Sequence, residues 1–262
     1  MNPSAWWREA VRRQPALAGF ALLLVLLMLP TLIAAGLDER TIRGVGLWVK
    51  PLKFMASLAL FSITAAWFVG LLPADARRGR TVTLVVWTVI GAGSFEIVYI
   101  SLQAALGQAS HYNLSTPLRA ALYSMMGIGA TLLTASQALL AWRIARAPAA
   151  GQPPVWRLGV IVGLAFTFVL GAGAGGLLGG LQPPAGAGLP FVGWHCAGDL
   201  RPAHFLGLHA QQLVPLAALL LPTRRALAGF AVLYALAWLG LVALGLNGAV
   251  PTPLPPYDGV GR

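Results

Sequence analysis

Four histidines, one carboxylate deep in an apolar run and two lysines are the side chains that could do chemistry in this chain. His204 and His209 stand five apart in one apolar stretch, and His195 and His111 lie in the Gly- and Pro-bearing segments between stretches. Glu96 sits inside a run of mostly aliphatic residues, and Lys50 and Lys53 flank Pro51 at the start of another. Imidazole and carboxylate suit Zn or Fe, and a catalytic site of that kind keeps three protein ligands and an open water position. The expectation is a divalent metal held by His111, His204 and His209, with His195 as a fourth ligand. Glu96 and His209 are then the catalytic pair, Glu96 as ligand or general acid–base. The spacing weakens a simple pair, because residues five apart on a helix diverge by about 140° where an i,i+4 pair meets on one face.

The polar residues around these candidates define a substrate surface. Glu96, Tyr99 and Gln103 fall within about 60° of one another on a helix, and Arg201, His204, His209, Gln211 and Gln212 share one wedge of another. Lys50 and Lys53 oppose the positive end of a helix dipole, so something else must favour them, whether Glu96, Asp199, an anionic substrate group or lipid phosphate. Lys50, Lys53, Tyr99, Gln103, Asn113, Asp199, Arg201, Gln211 and Gln212 are therefore the candidate substrate contacts, for a lipidic or anionic small molecule. Several of these have a plainer reading. The lysines can snorkel to headgroups, Asp199 can start a helix, Trp194 and Tyr112 fit an interfacial aromatic belt, and the glycines of 171–180 permit close helix packing.

Such residues must be positioned by helices. Seven runs are long enough to cross a hydrocarbon core of roughly 30 Å, which takes about 20 helical residues. They are 16–36, 47–72, 82–106, 118–142, 158–181, 203–221 and 226–246, and in lipid they must be helical because an unpaired backbone group there costs several kcal/mol. The fold expected over 1–262 is one all-α transmembrane domain, a seven-helix bundle. Thr116 with Pro117, and Asp199 with Pro202, are start signals for the fourth and sixth helices. No tandem repeat is visible, and the Pro- and Gly-rich tail 247–262 reads as irregular.

Positive charge orients the bundle. Arg8, Arg12 and Arg13 precede the first run; Arg77, Arg78 and Arg80, then Arg143, Arg146 and Arg157, then Arg224 and Arg225 fill the even-numbered connections. By the positive-inside rule these are cytoplasmic, which puts the N-terminus inside and the C-terminus outside a bacterial cytoplasmic (inner) membrane. A signal peptide is the competing reading of the first run, but the run is longer than an h-region and Ala34–Ala35 lacks a small residue at Ile33. All four histidines then fall on the outer side, with Glu96 roughly 15 Å deep at the helical rise, where an ionisable group is expensive and points to a site. The connections 182–202 and 107–113 could close over an outward-facing cavity.

Composition agrees. The 262 residues are 58% hydrophobic and 10% charged, far from the roughly 25% charged of a soluble domain. The net charge of +11 lies in short clusters between apolar runs, which excludes a nucleic-acid partner and names the lipid bilayer instead. One cysteine, Cys196, excludes an internal disulfide.

Two other functions compete. A haem b or quinone redox protein would use facing histidines, yet only His209 is well inside a helix and no partner matches its depth unless His111 folds inward. A proton-coupled transporter or channel would relay protons through Glu96 and the histidines, yet the cytoplasmic halves offer little beyond Ser136 and Gln137. A retinal protein needs a lysine in the last helix, where 226–246 has none. The spacing of His204 and His209 also differs from the HxxxH of seven-helix zinc hydrolases.

Overall fold

A computed structural model describes residues 2–186, 188–189 and 192–249. Its helices are α1 (Pro3–Arg13), α2 (Pro15–Leu37), α3 (Val49–Val69), α4 (Arg80–Ala105), α5 (Pro117–Arg146), α6 (Pro154–Phe166), α7 (Gly173–Gly180), α8 (Arg201–Leu208), α9 (Ala210–Leu220) and α10 (Arg224–Leu246). A π-helical turn, Thr167–Ala172, joins α6 to α7, and a short antiparallel hairpin pairs Thr41–Ile42 with Val45–Gly46. Six helices are long and apolar enough to cross a membrane, and the bent pair α8 and α9 makes up to seven.

Local chemistry explains the ends. Thr116 accepts a hydrogen bond from the Arg119 N–H at 3.3 Å, capping α5 ahead of Pro117, and Thr223 does the same for Ala226 at the start of α10. Large aliphatics stand exposed on most of the long helices, such as Leu29 and Ile33 on α2, Val98 on α4, Ile128 on α5 and Leu233 on α10. So much outward-facing apolar surface on a monomer fits a bilayer as solvent.

The connections divide between two ends. At the arginine-rich end Trp6 stacks on Trp67 at 5.3 Å, Arg13 lies 4.0 Å over the same ring, and Ala149 N–H bonds the Leu71 carbonyl at 2.7 Å. Arg13 and Arg77 donate to the carbonyls of Trp67, Gly70 and Leu72, which satisfies the C-terminal end of α3 and complements its dipole. At the histidine-rich end Arg43 bonds the Pro183 carbonyl at 2.7 Å, Tyr112 bonds that of Leu178, and Gly198 N–H reaches Leu244 of α10.

The sequence reading treats 203–221 as one straight helix, and the structure corrects it. The chain breaks at His209, and α8 and α9 meet at 55°. Pro215, inside α9, removes the backbone donor that would bind the Gln211 carbonyl, which loosens the turn beside the break. The two pieces still run the length of the bundle, because a four-residue rhythm of small residues on the preceding span docks them. A Cβ on Gly175 would come within 3.0 Å of the His204 ring, one on Gly207 within 2.5 Å of Gly171 N, one on Gly163 within 2.8 Å of the Ala210 carbonyl, and one on Gly159 within 2.4 Å of Ala218. This is the close backbone approach expected of the glycines 171–180, extended from one end of the span to the other.

The remaining differences are smaller. α1 is a separate amphipathic helix that the seven-run reading omits, since eleven residues fall short of a span. The expected tail 247–262 is described only to Ala249, so its irregularity from 250 onward lies outside the described residues.

Candidate functional site

The histidine-rich end holds the sequence candidates, in two adjoining groups. The first lies among α3, α4, α5 and the connection 106–116. His111 is packed between Phe54, with ring centroids 5.9 Å apart, and Tyr123, at 5.7 Å. Lys50, one helical turn before Phe54, lies 5.8 Å from that same ring, a cation–π distance. Burial pushes His111 well below the ordinary imidazole range, and the charges of Lys50 and His204 act in the same direction. Burial thus favours the neutral form of the His111 imidazole, and the lysine of α3 and the histidine of α8 are among its electrostatic neighbours.

Glu96 is only 5% exposed. Neither carboxylate oxygen has a hydrogen-bond partner among the described residues. Lys50 is an electrostatic neighbour of this carboxylate without forming an ion pair with it. About two turns further along α4, Gln103 donates to Tyr99 Oη at 3.3 Å and to the Ala109 carbonyl at 3.2 Å. Asn113 donates to that same carbonyl at 3.1 Å and accepts from Ser115. Gln103 and Asn113 thus both hold the 106–116 connection against α4.

The second group lies where α8 and α9 meet the π-turn. His204 Nδ1 is 2.9 Å from the Gly171 carbonyl. A carbonyl only accepts, so Nδ1 carries the proton and Nε2 of the neutral ring is left as an acceptor. The π-turn loosens the ordinary helical ladder at this point. Thr167 Oγ1 donates to Gly163 at 2.9 Å and accepts from the Gln211 N–H at 3.0 Å. Gln212 donates to Thr64 of α3 at 3.1 Å, and the His209 ring lies tilted against that of Phe205, with centroids 4.1 Å apart. The side-chain atoms of Gln211 are buried without a partner among the described residues.

The connection 181–200 covers this end, held by charge. Arg201 grips Asp199 through Nη2 at 2.7 Å and Nε at 2.9 Å, and Asp199 also accepts the N–H groups of His195 and Arg201 at 2.9 Å each. Burial pushes the Asp199 carboxyl up, but the Arg201 guanidinium and these N–H groups outweigh it and hold it below the usual carboxylate range. Asp199 accepts the first N–H of α8, yet the N-cap position is Leu200, which has no side-chain cap bond, so the helix-start reading of Asp199 is off by one residue. Lys53 is exposed, and its ammonium donates to the Val192 carbonyl at 2.8 Å. Trp194 is not a free belt aromatic, since it packs edge-on against Phe205 at 5.2 Å. Tyr112 adopts a positive φ of 58° and sits 5.4 Å from Tyr123.

Among the described residues no three of the His, Cys, Asp and Glu side chains come together at metal-ligand spacing. His204 spends Nδ1 on Gly171, and His195 lies in the covering connection with its buried Nε2 unpartnered among the described residues. The residues therefore do not fit the three-ligand Zn or Fe centre expected of His111, His195, His204 and His209. For a bis-histidine haem, His209 lies tilted against Phe205 and its neighbour His204 already engages the Gly171 carbonyl through Nδ1.

Sequence reasoning missed Arg43, Phe54, Tyr123 and Gly171. Arg43, at a positive φ of 54°, is depressed by burial and by the neighbouring charge of Arg201. Arg201 also acts electrostatically on Lys50 and Lys53. The spacing Lys50–Phe54 was a legible i,i+4 signal; nothing in the sequence points to the Gly171 carbonyl. Compared with protein-family models, with curated proteins and with solved structures, the chain matches none of them.

Proposed function

We propose that this chain is an integral membrane protein that crosses the bilayer seven times, with its N-terminus cytoplasmic and its C-terminus outside. Its outer end is then a site for the anionic head of a membrane-borne molecule. The observation that carries this reading is the charge imbalance around Lys50. Arg43, Lys50, Lys53 and Arg201 stand within electrostatic range, and Asp199 is already committed to Arg201. Glu96 is the other nearby carboxylate and lies too far from Lys50 for an ion pair. A cluster of cations with so little compensation at a low-dielectric boundary favours an anion such as phosphate or carboxylate.

The topology rests on the two ends of the bundle. Arginines gather at one of them, and the positive-inside rule makes that end cytoplasmic, in a bilayer read as the bacterial cytoplasmic membrane. The α8–α9 pair counts as one broken span because its contacts run from Gly175 to Gly159. Broken helices in membranes line sites where freed backbone is sheltered by protein.

An enzymatic role rests on His204, whose Nε2 is presented as an acceptor, with His111 as its electrostatic neighbour and Lys50 in turn a neighbour of His111. A general base at the end of such a chain of polar groups suits removing a proton from a bound substrate. Thermal unfolding of the purified chain in detergent, with phosphatidic acid or phosphatidylcholine added, tests the binding claim. Phosphatidic acid raises Tm in the wild type and leaves it unchanged in Lys50→Gln. Equal effects of the two lipids, or an undiminished rise in Lys50→Gln, overturn it.

A further inference from the structure

On the lipid-facing side of the bundle, between α4 and α5, lies a groove of about 430 Å³. Its walls include Met125, Ile128 and Leu132, all more than half exposed, and Thr88 supplies a hydroxyl. Ala92 and Gly129 also line it. They are small, and behind them sits Glu96: a Cβ placed on Gly129 would lie 3.7 Å from Glu96 Oε1 and 3.8 Å from the Ala92 methyl. The carboxylate is thus separated from the groove by one glycine, 5% exposed and with both oxygens unpartnered among the described residues. A buried carboxyl in that state costs more than one that is hydrogen-bonded.

We propose that this groove admits a hydroxyl-headed lipid sideways from the bilayer and that Glu96 accepts the hydrogen bond of its hydroxyl. The occupant comes from the bilayer because the groove walls are lipid-facing aliphatics. Its head is uncharged because no cation lines the groove among the described residues, and a charge at that depth is expensive. It donates because Glu96 has two open acceptors. The inference goes beyond the anion site and uses neither His204 nor the cations of the outer end as contacts.

Carbodiimides test it. A carboxylic acid O–H adds across one C=N bond of the reagent, and the O-acylisourea rearranges to a stable N-acylurea that keeps every atom of both partners. Dicyclohexylcarbodiimide partitions into bilayers, whereas the ethyl-dimethylaminopropyl reagent stays in water. With the full chain in vesicles, intact-mass and peptide analysis are expected to place dicyclohexylcarbodiimide on Glu96 and to find no adduct there from the water-soluble reagent. Glu96→Gln abolishes the adduct. Gly129→Leu, whose side chain projects into the groove, loses it as well, and Leu132→Trp, on a lipid-facing wall away from the packed interior, does so if Gly129→Leu misfolds. Hexadecanol protects Glu96 and hexadecane does not. Any of four results overturns the proposal: no adduct in the wild type, equal labelling by the water-soluble reagent, full labelling in a folded groove variant, or equal protection by the alcohol and the hydrocarbon. None depends on whether an anion binds near Lys50, so the two readings fail separately.

Discussion

His204 Nδ1 lies 2.9 Å from the carbonyl oxygen of Gly171, a bond that ties the first turn of α8 to the π-turn of the neighbouring span and fixes the imidazole tautomer. Asparagine carries an amide N–H close to where Nδ1 stands, so His204→Asn keeps this bond while removing Nε2. His204→Asn is expected to unfold near the wild-type Tm, and His204→Ala to lose roughly 1–3 kcal/mol from the unpaired carbonyl. Equal losses in both variants would mean that the bond contributes nothing.

The packing of α8 and α9 predicts a contrast between glycines. A Cβ on Gly207 would sit 2.5 Å from Gly171 N, and backbone cannot step aside as a flexible side chain can. Gly207→Ala is expected to cost on the order of 1–3 kcal/mol through overpacking. Gly127, with nothing within 4 Å of its added Cβ, should gain about 0.5–1 kcal/mol as alanine from helix propensity alone. Thermal unfolding in one detergent compares the two.

Acid should destabilise the fold, and His111 should account for the first part of the loss. In the unfolded chain its imidazole takes up a proton near pH 6.5 or so. Folded His111 is held well below that by burial, with Lys50 and His204 adding to the effect. Protonation therefore favours the unfolded state as pH falls through about 6.5. Asp199, held low by Arg201, adds a loss in the same direction further down, beginning below its unfolded value of about 3.9. The Tm of the wild type should fall between pH 7 and pH 5, and His111→Asn should flatten that slope; an unchanged slope would contradict the assignment.

Which parts of this were legible follows from what a periodic pattern can carry. The six long apolar helices, the Thr116 cap and the gathering of the histidines at one end are local or compositional, and the structure shows each of them. Glu96 was legible as a buried carboxylate because an acid in an aliphatic run has nowhere cheap to go. The His209 break was not, since it depends on Pro215 acting beside the docking of Gly163 and Gly171 on α8 and α9, a contact between spans. Whether the histidines gather as ligands was not legible for the same reason. Proximity to one end of a bundle is a statement about depth, and it says nothing of whether His195, His204 and His209 turn toward one another. The bonds of Gln103 and Asn113 to the Ala109 carbonyl were hidden because that partner is backbone.

Sidedness separates seven crossings from six with a re-entrant loop. In a chain with Cys196→Ser, single cysteines at the exposed positions Asp75, Ser115, Ala150, Ala185, Pro222 and Asn247 should react with an impermeant maleimide from outside at Ser115, Ala185 and Asn247. Those at Asp75, Ala150 and Pro222 should stay protected until the membrane is opened. Outside labelling at Pro222 would make α8 and α9 re-entrant.

Native mass spectrometry of the detergent-released chain, titrated with phosphatidic acid, tests the anion site most directly. Among the described residues Lys50 forms no ion pair; it lies 5.8 Å from the Phe54 ring and, like Arg43 and Lys53, within electrostatic range of Arg201, and removing a charge from such a cluster typically costs on the order of 1–3 kcal/mol in binding. The account predicts one retained lipid per wild-type chain, its loss in Lys50→Gln, and no comparable retention of phosphatidylcholine. Retention of phosphatidic acid by Lys50→Gln at the wild-type level, or equal retention of the two lipids by the wild type, would contradict it.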